Sequence, residues 1–396
     1  MKKSYFILAA VAATFAACSQ NDVITEITEQ EVPIGFTDSW INSATRNAGE
    51  MTTTTIQTVG NTMEVWGWKT YNSQNTQIFD NQLVTRESTG ANSTPTTYWT
   101  YSPLKFWDRT ASYKFYAVAP DDDVLSLTED LSTEANRKVS ATAIPAVQVL
   151  EDMAGAAKIK LAAADASVTG TASTAVDYLV ADVVSCAAGV ATQGNATDKD
   201  VEFTFHHILS KLTVNVLTTT GFNNTGTTYP QIHLTDLKIN LAGMCPEFTQ
   251  KTAGVLKPVS DTNVYPDCDT WGGTAAGATD YVCFDVDGTK VAESLLLSTT
   301  AQKVAAYLVA PTATGATPAT CDVKVLVEYD LTYENGAGTL TEHCVSELTT
   351  VGTSLNKFVQ NNAYDLNITI DPKAIYFDVK TVADWTDASD GAVVVD

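Results

Sequence analysis

In the second half of the chain, apolar and polar residues alternate with period two. Leu212, Val214 and Val216 alternate with Lys211, Thr213 and Asn215, the pattern of a half-buried strand. Val323, Val325, Val327, Tyr329, Leu331 and Tyr333 keep one parity over a longer strand, and Asn335-Gly336 then supplies residues suited to a tight hairpin. Tyr364, Leu366, Ile368 and Ile370 alternate with Asp365, Asn367, Thr369 and Asp371. Pro372 interrupts, Ile375, Phe377 and Val379 open a further strand, and Val393-Val394-Val395 forms a last short apolar run. Phe203 and Phe205 have the opposite parity to Leu212, which predicts a bulge near His206-His207.

The first half carries shorter signals. Val32-Pro33-Ile34-Gly35-Phe36, Met63–Trp68, Tyr113–Val118 and Asp177–Ala181 read as strands. Residues 123–139 and 150–167 are the two segments that read as helices. Polar stretches at 42–55 and 187–200 read as an exposed loop and a domain boundary. The count of short strands with turn residues between them predicts an all-β protein with minor helices, built from β-sandwiches.

The N-terminus changes the picture. Lys2 and Lys3, an apolar body from Tyr5 to Ala17 and the small residues Ala16-Ala17 form an export signal too short to span a bilayer. Cys18 directly after it resembles a lipobox, in which the thiol is diacylated and becomes the new N-terminus. Phe15 departs from the Leu usual there, and an ordinary secretory signal with an incidental Cys is the alternative. Residues 1–17 are excluded from the fold in both cases.

The net charge of −23 repels nucleic acid and anionic membrane surfaces, so neither is an expected partner. Outside the cytoplasm, Cys186, Cys245, Cys268, Cys283, Cys321 and Cys344 can pair in many ways, and the sequence assigns none. None is spaced as CxxC, which argues against a zinc cluster.

Chemistry is sparse. His206, His207, His233 and His343 do not form HExxH or a comparable metal spacing, and adjacent strand residues point to opposite faces. There is no GxSxG elbow and no P-loop. No catalytic residue, metal or cofactor is expected, and the chain reads as a non-enzyme. Asp121-Asp122-Asp123 offers oxygen ligands but lacks the EF-hand series, so it reads as a solvated acidic turn. Trp66, Trp68, Trp99, Tyr101 and Trp107 read as core. As exposed platforms they would instead suit sugars, so the alternative function is a surface glycan-binding lipoprotein that stays lipidated and unpolymerised.

Several segments together resemble the fimbrillin superfamily of Bacteroidales, the subunits of type V pili. They are Cys18, Ala44-Thr45-Arg46-Asn47, Val65-Trp66-Gly67-Trp68, Tyr101–Trp107, Tyr113–Ala117, Phe205–Leu212, Asn362–Ile368, Ile375 and Trp385. Ser19-Gln20-Asn21-Asp22 is similar to the acidic signal that sends lipoproteins of that phylum to the outer surface. The resemblance implies two tandem transthyretin-like β-sandwich domains and a structural role in adhesion. It divides the chain into a signal peptide (1–17), a lipidated propeptide with the first strand (18–46), two sandwich domains (47–198 and 199–373) and C-terminal donor strands (374–396). It implies an outer-membrane lipoprotein precursor that an Arg-specific protease cuts between Arg46 and Asn47. The strand containing Val32, Ile34 and Phe36 then leaves. Ile375, Phe377 and Val379, with Val393, Val394 and Val395, fill the vacated groove of another pilus subunit in a fimbrium at the cell surface.

Overall fold

The structure is a computed structural model that describes residues 31–37, 40–41, 56–88, 97–127, 139–141, 144, 147–152, 175–189, 197–222, 229–242, 256–257, 267–268, 280–286, 294–310, 313–314, 317–318, 322–334, 336–346, 349–352, 355, 358, 361–371 and 374–382. Strands dominate it. An eight-stranded sheet runs in the order Trp40–Ile41, Thr204–His207, Leu179–Ala181, Ser112–Ala119, Thr62–Tyr71, Gln74–Ser88, Thr97–Thr100, with Val184–Cys186 also pairing to Ser112–Ala119. A five-stranded sheet runs Ala374–Val382, Ala363–Asp371, Ser210–Thr218, Gln302–Val309, Val147–Asp152. A third sheet is built on Asp280–Asp285, Gln231–Ala242, Asp322–Glu334 and Thr339–Val345.

Three apolar clusters separate these layers. Odd-numbered residues of Thr62–Tyr71, such as Met63 and Val65, enter an aromatic core with Phe79, Phe115, Phe203 and Phe205. The even-numbered Trp66 and Trp68 point to the other face. There they pack in a middle cluster with Tyr116, Val118, Leu150, Ala306 and Leu308. The five-stranded sheet thus meets the middle cluster on one side. On the other, Leu212, Val214, Tyr307 and Ile368 face the third sheet's Leu234, Ile239, Val325 and Val327. Ser112–Ala119 and Gln302–Val309 have an apolar cluster on both faces, which is why they carry long buried runs, while Ser210–Thr218 and Ala363–Asp371 keep one part-exposed face.

The alternating segments of the second half fold as the sequence predicts, over Ser210–Thr218, Asp322–Glu334 and Ala363–Asp371. The hairpin expected at Asn335-Gly336 is present: Asp322–Glu334 and Thr339–Val345 pair antiparallel, with Glu334 opposite Thr339 at the turn. The parity change at His206-His207 is not a bulge. Pairing of Phe205, His206 and His207 with Ala181, Val180 and Leu179 is regular. The chain then leaves that sheet, spends Ile208 and Leu209 in the middle cluster, and enters the next sheet at Ser210.

The helix expectation fails wherever its segments are described. Leu125–Leu127, Val139–Ala141 and Val147–Asp152 are strands. Val147–Asp152 is captured by the edge of Gln302–Val309, a partner more than a hundred residues away that local propensity does not see. Of those two segments, residues 128–138 and 153–167 lie outside the described residues.

Candidate assembly site

The N-terminal segment 32–37 lies in a slot between two parts of the chain and bonds to both. On one side, Ile34 N–H donates to the Lys105 carbonyl (2.8 Å) and Trp107 N–H donates to the Val32 carbonyl (2.9 Å). On the other, Val201 N–H donates to the Gly35 carbonyl (2.8 Å) and Thr37 N–H donates to the Val201 carbonyl (3.0 Å). The Tyr101 hydroxyl adds a buried bond to the Ile34 carbonyl at 2.7 Å. Pairing is antiparallel at Pro33–Phe106 and parallel at Phe36–Val201, and it continues in parallel where Trp40 and Ile41 meet Thr204 and Phe205.

The residue pattern of this segment explains its fit. Ile34 and Phe36 are 1% and 6% exposed, while Pro33, just before them, is exposed. A proline is tolerated there because the flanking residues carry the ladder bonds. Gly35 permits the close approach to Val201, since a Cβ at that position would run into the Asp200 carboxylate. The Phe36 ring lies 5.8 Å from Phe79, 5.5 Å from Tyr101 and 5.9 Å from Phe203, centroid to centroid. Burial of two such side chains is worth about 1.5–3 kcal/mol each. Each backbone bond adds about 0.5–1.5 kcal/mol net.

Electrostatics at the rim are local. Burial pushes the Tyr101 phenol above its ordinary range, so it stays a donor. Beside Trp107, Asp108 receives bonds from Lys69 Nζ (2.5 Å) and from the Thr110 hydroxyl and N–H, which hold its carboxyl down at about 2.

At the other end of the chain, Ile375, Phe377 and Val379 lie on Ala374–Val382, which pairs with Ala363–Asp371 and is the edge of the five-stranded sheet. All three are partly buried against the chain's own core, and Tyr376 beside them is 55% exposed. The neighbouring Ala363–Asp371 buries every second side chain, so the edge strand is the less anchored of the two. Cys18, Arg46, Asn47, Val393, Val394 and Val395 lie outside the described residues.

The sequence pointed to Val32, Ile34 and Phe36 but missed what holds them. Tyr101, Lys105, Trp107 and Val201 supply the bonds, and Phe79, Phe115 and Phe203 the floor. The one available signal was the aromatic run Tyr98–Trp107, whose Pro103 keeps it from being an ordinary strand. The aromatics weighed as sugar platforms are core: Trp66, Trp68, Trp99, Tyr101 and Trp107 are each at most 8% exposed. Arg86 lies over the Trp99 ring, with its guanidinium carbon 5.3 Å from the ring centre. Buried His207 pairs with buried Asp177 at 2.9 Å, and its N–H donates to the Asn361 side chain, a structural use at the point where the chain changes sheets. Among the described residues Cys186 and Cys344 are free thiols, Cys283 Sγ lies 3.2 Å from the Tyr307 hydroxyl, and burial pushes Cys186 up to about 12. The side chains of Cys245, Cys268 and Cys321 lie outside the described residues.

A fimbrillin-like family model matches residues 45–385. The chain belongs to the fimbrillin-like family. Membership makes it a fimbrial structural protein of the cell surface rather than an enzyme. Among solved structures it is similar to a fimbrial protein from Bacteroides vulgatus ATCC 8482, at 17% identity and TM-score 0.46, covering 90% of this chain and 100% of that one. It is also similar to the tip fimbrial protein Mfa3 from Porphyromonas gingivalis with a C-terminal truncation, at 9% identity and TM-score 0.35, covering 89% of this chain and 98% of that one. No curated protein matches the fimbrillin-like chain.

Proposed function

We propose that this fimbrillin is a filament subunit that polymerises by strand exchange and supports adhesion. In this reading the precursor is exported as an outer-membrane lipoprotein through Cys18, and an Arg-specific protease cuts between Arg46 and Asn47. Val32, Ile34 and Phe36 then leave the slot. Ile375, Phe377 and Val379 of another subunit, with Val393, Val394 and Val395 beyond them, replace them.

The observation that carries the reading is the two-sided bonding of 32–37. Its removal strips hydrogen bonds from both walls and uncovers the aromatic floor, a surface that an incoming strand satisfies with backbone bonds and alternating side chains. The segment's link to the remaining chain runs through the stretch that contains Arg46, so one cut there is enough to free it. The C-terminal edge strand supports the donor role because it is bonded to a neighbour on one side. A head-to-tail contact of this kind does not close on itself and yields a filament.

The test is the N-terminus of the native surface protein, by mass spectrometry, in wild type and in Arg46→Ala. Wild type is expected to begin at Asn47, and the variant to stay lipidated and unpolymerised. Normal filaments in the variant reject the processing step.

A further inference from the structure

Glu64 is a buried acid in the protein's first sheet. It sits on Thr62–Tyr71 opposite Leu83 on one side and Val118 on the other. Its parity is that of Trp66 and Trp68, so it points away from the aromatic core and into the packed face. It is 2% exposed, and among the described residues neither carboxylate oxygen has a hydrogen-bond partner.

What faces it is acid. Ser112–Ala119 ends beside Glu64, and the turn that follows brings Asp121 and Asp123 to it. One carboxylate oxygen from each of Glu64, Asp121 and Asp123 lies within 4.8 Å of the others. The turn is held in shape by other groups. Asp121 N–H donates to the Thr62 hydroxyl (3.1 Å), and Val124 N–H donates to the Asp122 carboxylate (3.1 Å). Asp122 also bonds the Tyr178 hydroxyl, so it is turned elsewhere. Asp123 adopts a φ of 61°, the left-handed turn conformation that Asp tolerates. Three convergent carboxylates, one of them buried and without a hydrogen-bond donor among the described residues, are an arrangement that suits a cation.

We infer that Glu64, Asp121 and Asp123 form a calcium site that ties the acidic turn to the first sheet. The donor set is all oxygen, which disfavours zinc and copper. A turn that supplies two ligands and leaves the rest to water and carbonyls suits the larger, less demanding shell of Ca²⁺ better than the strict octahedron of Mg²⁺. The solvated acidic turn expected from the sequence is thus half of a site whose other half is buried. The Glu64 face is opposite the aromatic core of the slot, so the site is independent of the strand-exchange reading.

The test is titration of the purified, EDTA-treated chain with CaCl₂, followed by calorimetry and by thermal unfolding, with MgCl₂ in parallel. Wild type is expected to bind one Ca²⁺ with a dissociation constant of about 10⁻⁴–10⁻³ M, the range of extracellular calcium modules, and to melt at a higher temperature with Ca²⁺ than without. Glu64→Gln keeps the shape, buries no charge and is expected to fold at least as well as wild type without the ion. Its Ca²⁺ affinity is expected to fall at least ~10-fold, the lower bound seen when even a supporting group of a metal site is changed. Asp123→Asn, at an exposed position, serves as the second variant and is expected to fall likewise. The inference is overturned by an absent Ca²⁺ response in wild type, by a response that survives in both variants, or by equal responses to Mg²⁺ and Ca²⁺.

Discussion

The Tyr101 hydroxyl donates to the carbonyl of Ile34, 2.7 Å away in space and 67 residues away in sequence. The bond joins the wall of the slot to the segment proposed to leave it. Tyr101→Phe keeps the ring against Phe36 and Phe79 and removes the hydroxyl, which also accepts from Lys105 N–H at 3.2 Å. The precursor is expected to lose about 0.5–1.5 kcal/mol for the bond to Ile34 in urea unfolding, on top of any loss at Lys105. A chain beginning at Asn47 lacks Ile34 and keeps only the Lys105 contact, so its loss should be smaller. Equal losses in the two chains argue that the Lys105 contact alone carries the effect.

Gly67 sets the depth of the same slot. A Cβ there would lie 2.8 Å from the Phe79 ring and 2.9 Å from Phe115, both of which also face Phe36. Gly67→Ala is therefore expected to destabilise by about 1–3 kcal/mol, the cost of overpacking a filled core. Because the displaced rings form the floor, polymer growth should slow as well. Thermal unfolding and a filament-length ladder on native gels measure the two effects.

Deletion of 374–396 removes an edge strand whose side chains are only partly buried. The truncated chain is expected to keep its β-rich circular dichroism and to remain monomeric after cleavage at Arg46. Polymers of normal length from this chain would reject donation by the C-terminal strands.

Asp108 gives a pH signature at the rim. Lys69 and Thr110 lower its carboxyl to about 2 in the folded chain, below its ordinary value near 4. A depressed acid contributes stability that is complete above the unfolded value and is lost as pH falls through the folded one. The window is thus about pH 4 to 2. Both partners are roughly a third exposed, so solvent screening limits the contribution to about 0.2–1 kcal/mol. Asp108→Asn should flatten the stability curve in that window and leave it unchanged in shape near neutrality.

How far the sequence reveals this protein depends on the range of each interaction. Strands with a solvated face, such as Ser210–Thr218 and Ala363–Asp371, announce themselves by alternation, and so do Ile34 and Phe36. Val147–Asp152 does not, because its conformation comes from pairing with Gln302–Val309. The same holds for the slot walls. Lys105, Trp107 and Val201 act through backbone atoms, which leave no mark on residue identity. Glu64 looks like an outward strand residue, and only the layer packed over Trp66 and Trp68 makes it buried. The parity change at His206-His207 is visible, but its cause, the crossing from the first sheet into the five-stranded one, is encoded in no local pattern.

The run from Thr204 to Thr218 crosses from one sheet to the next with only Ile208 and Leu209, where the chain bends, between its two strands. Trp40–Ile41 pairs with its first part in parallel, and Ala363–Asp371 pairs with its second part in parallel. If an incoming strand takes the place and direction of the first, a filament pulled at its ends loads both ladders along their length. Bonds loaded in this way share the force and fail together, where a hairpin pulled from its open end would unzip one bond at a time. The two-residue link between the ladders then passes the load from one sheet to the next. A fibre of such units would resist fluid drag without needing covalent cross-links between subunits.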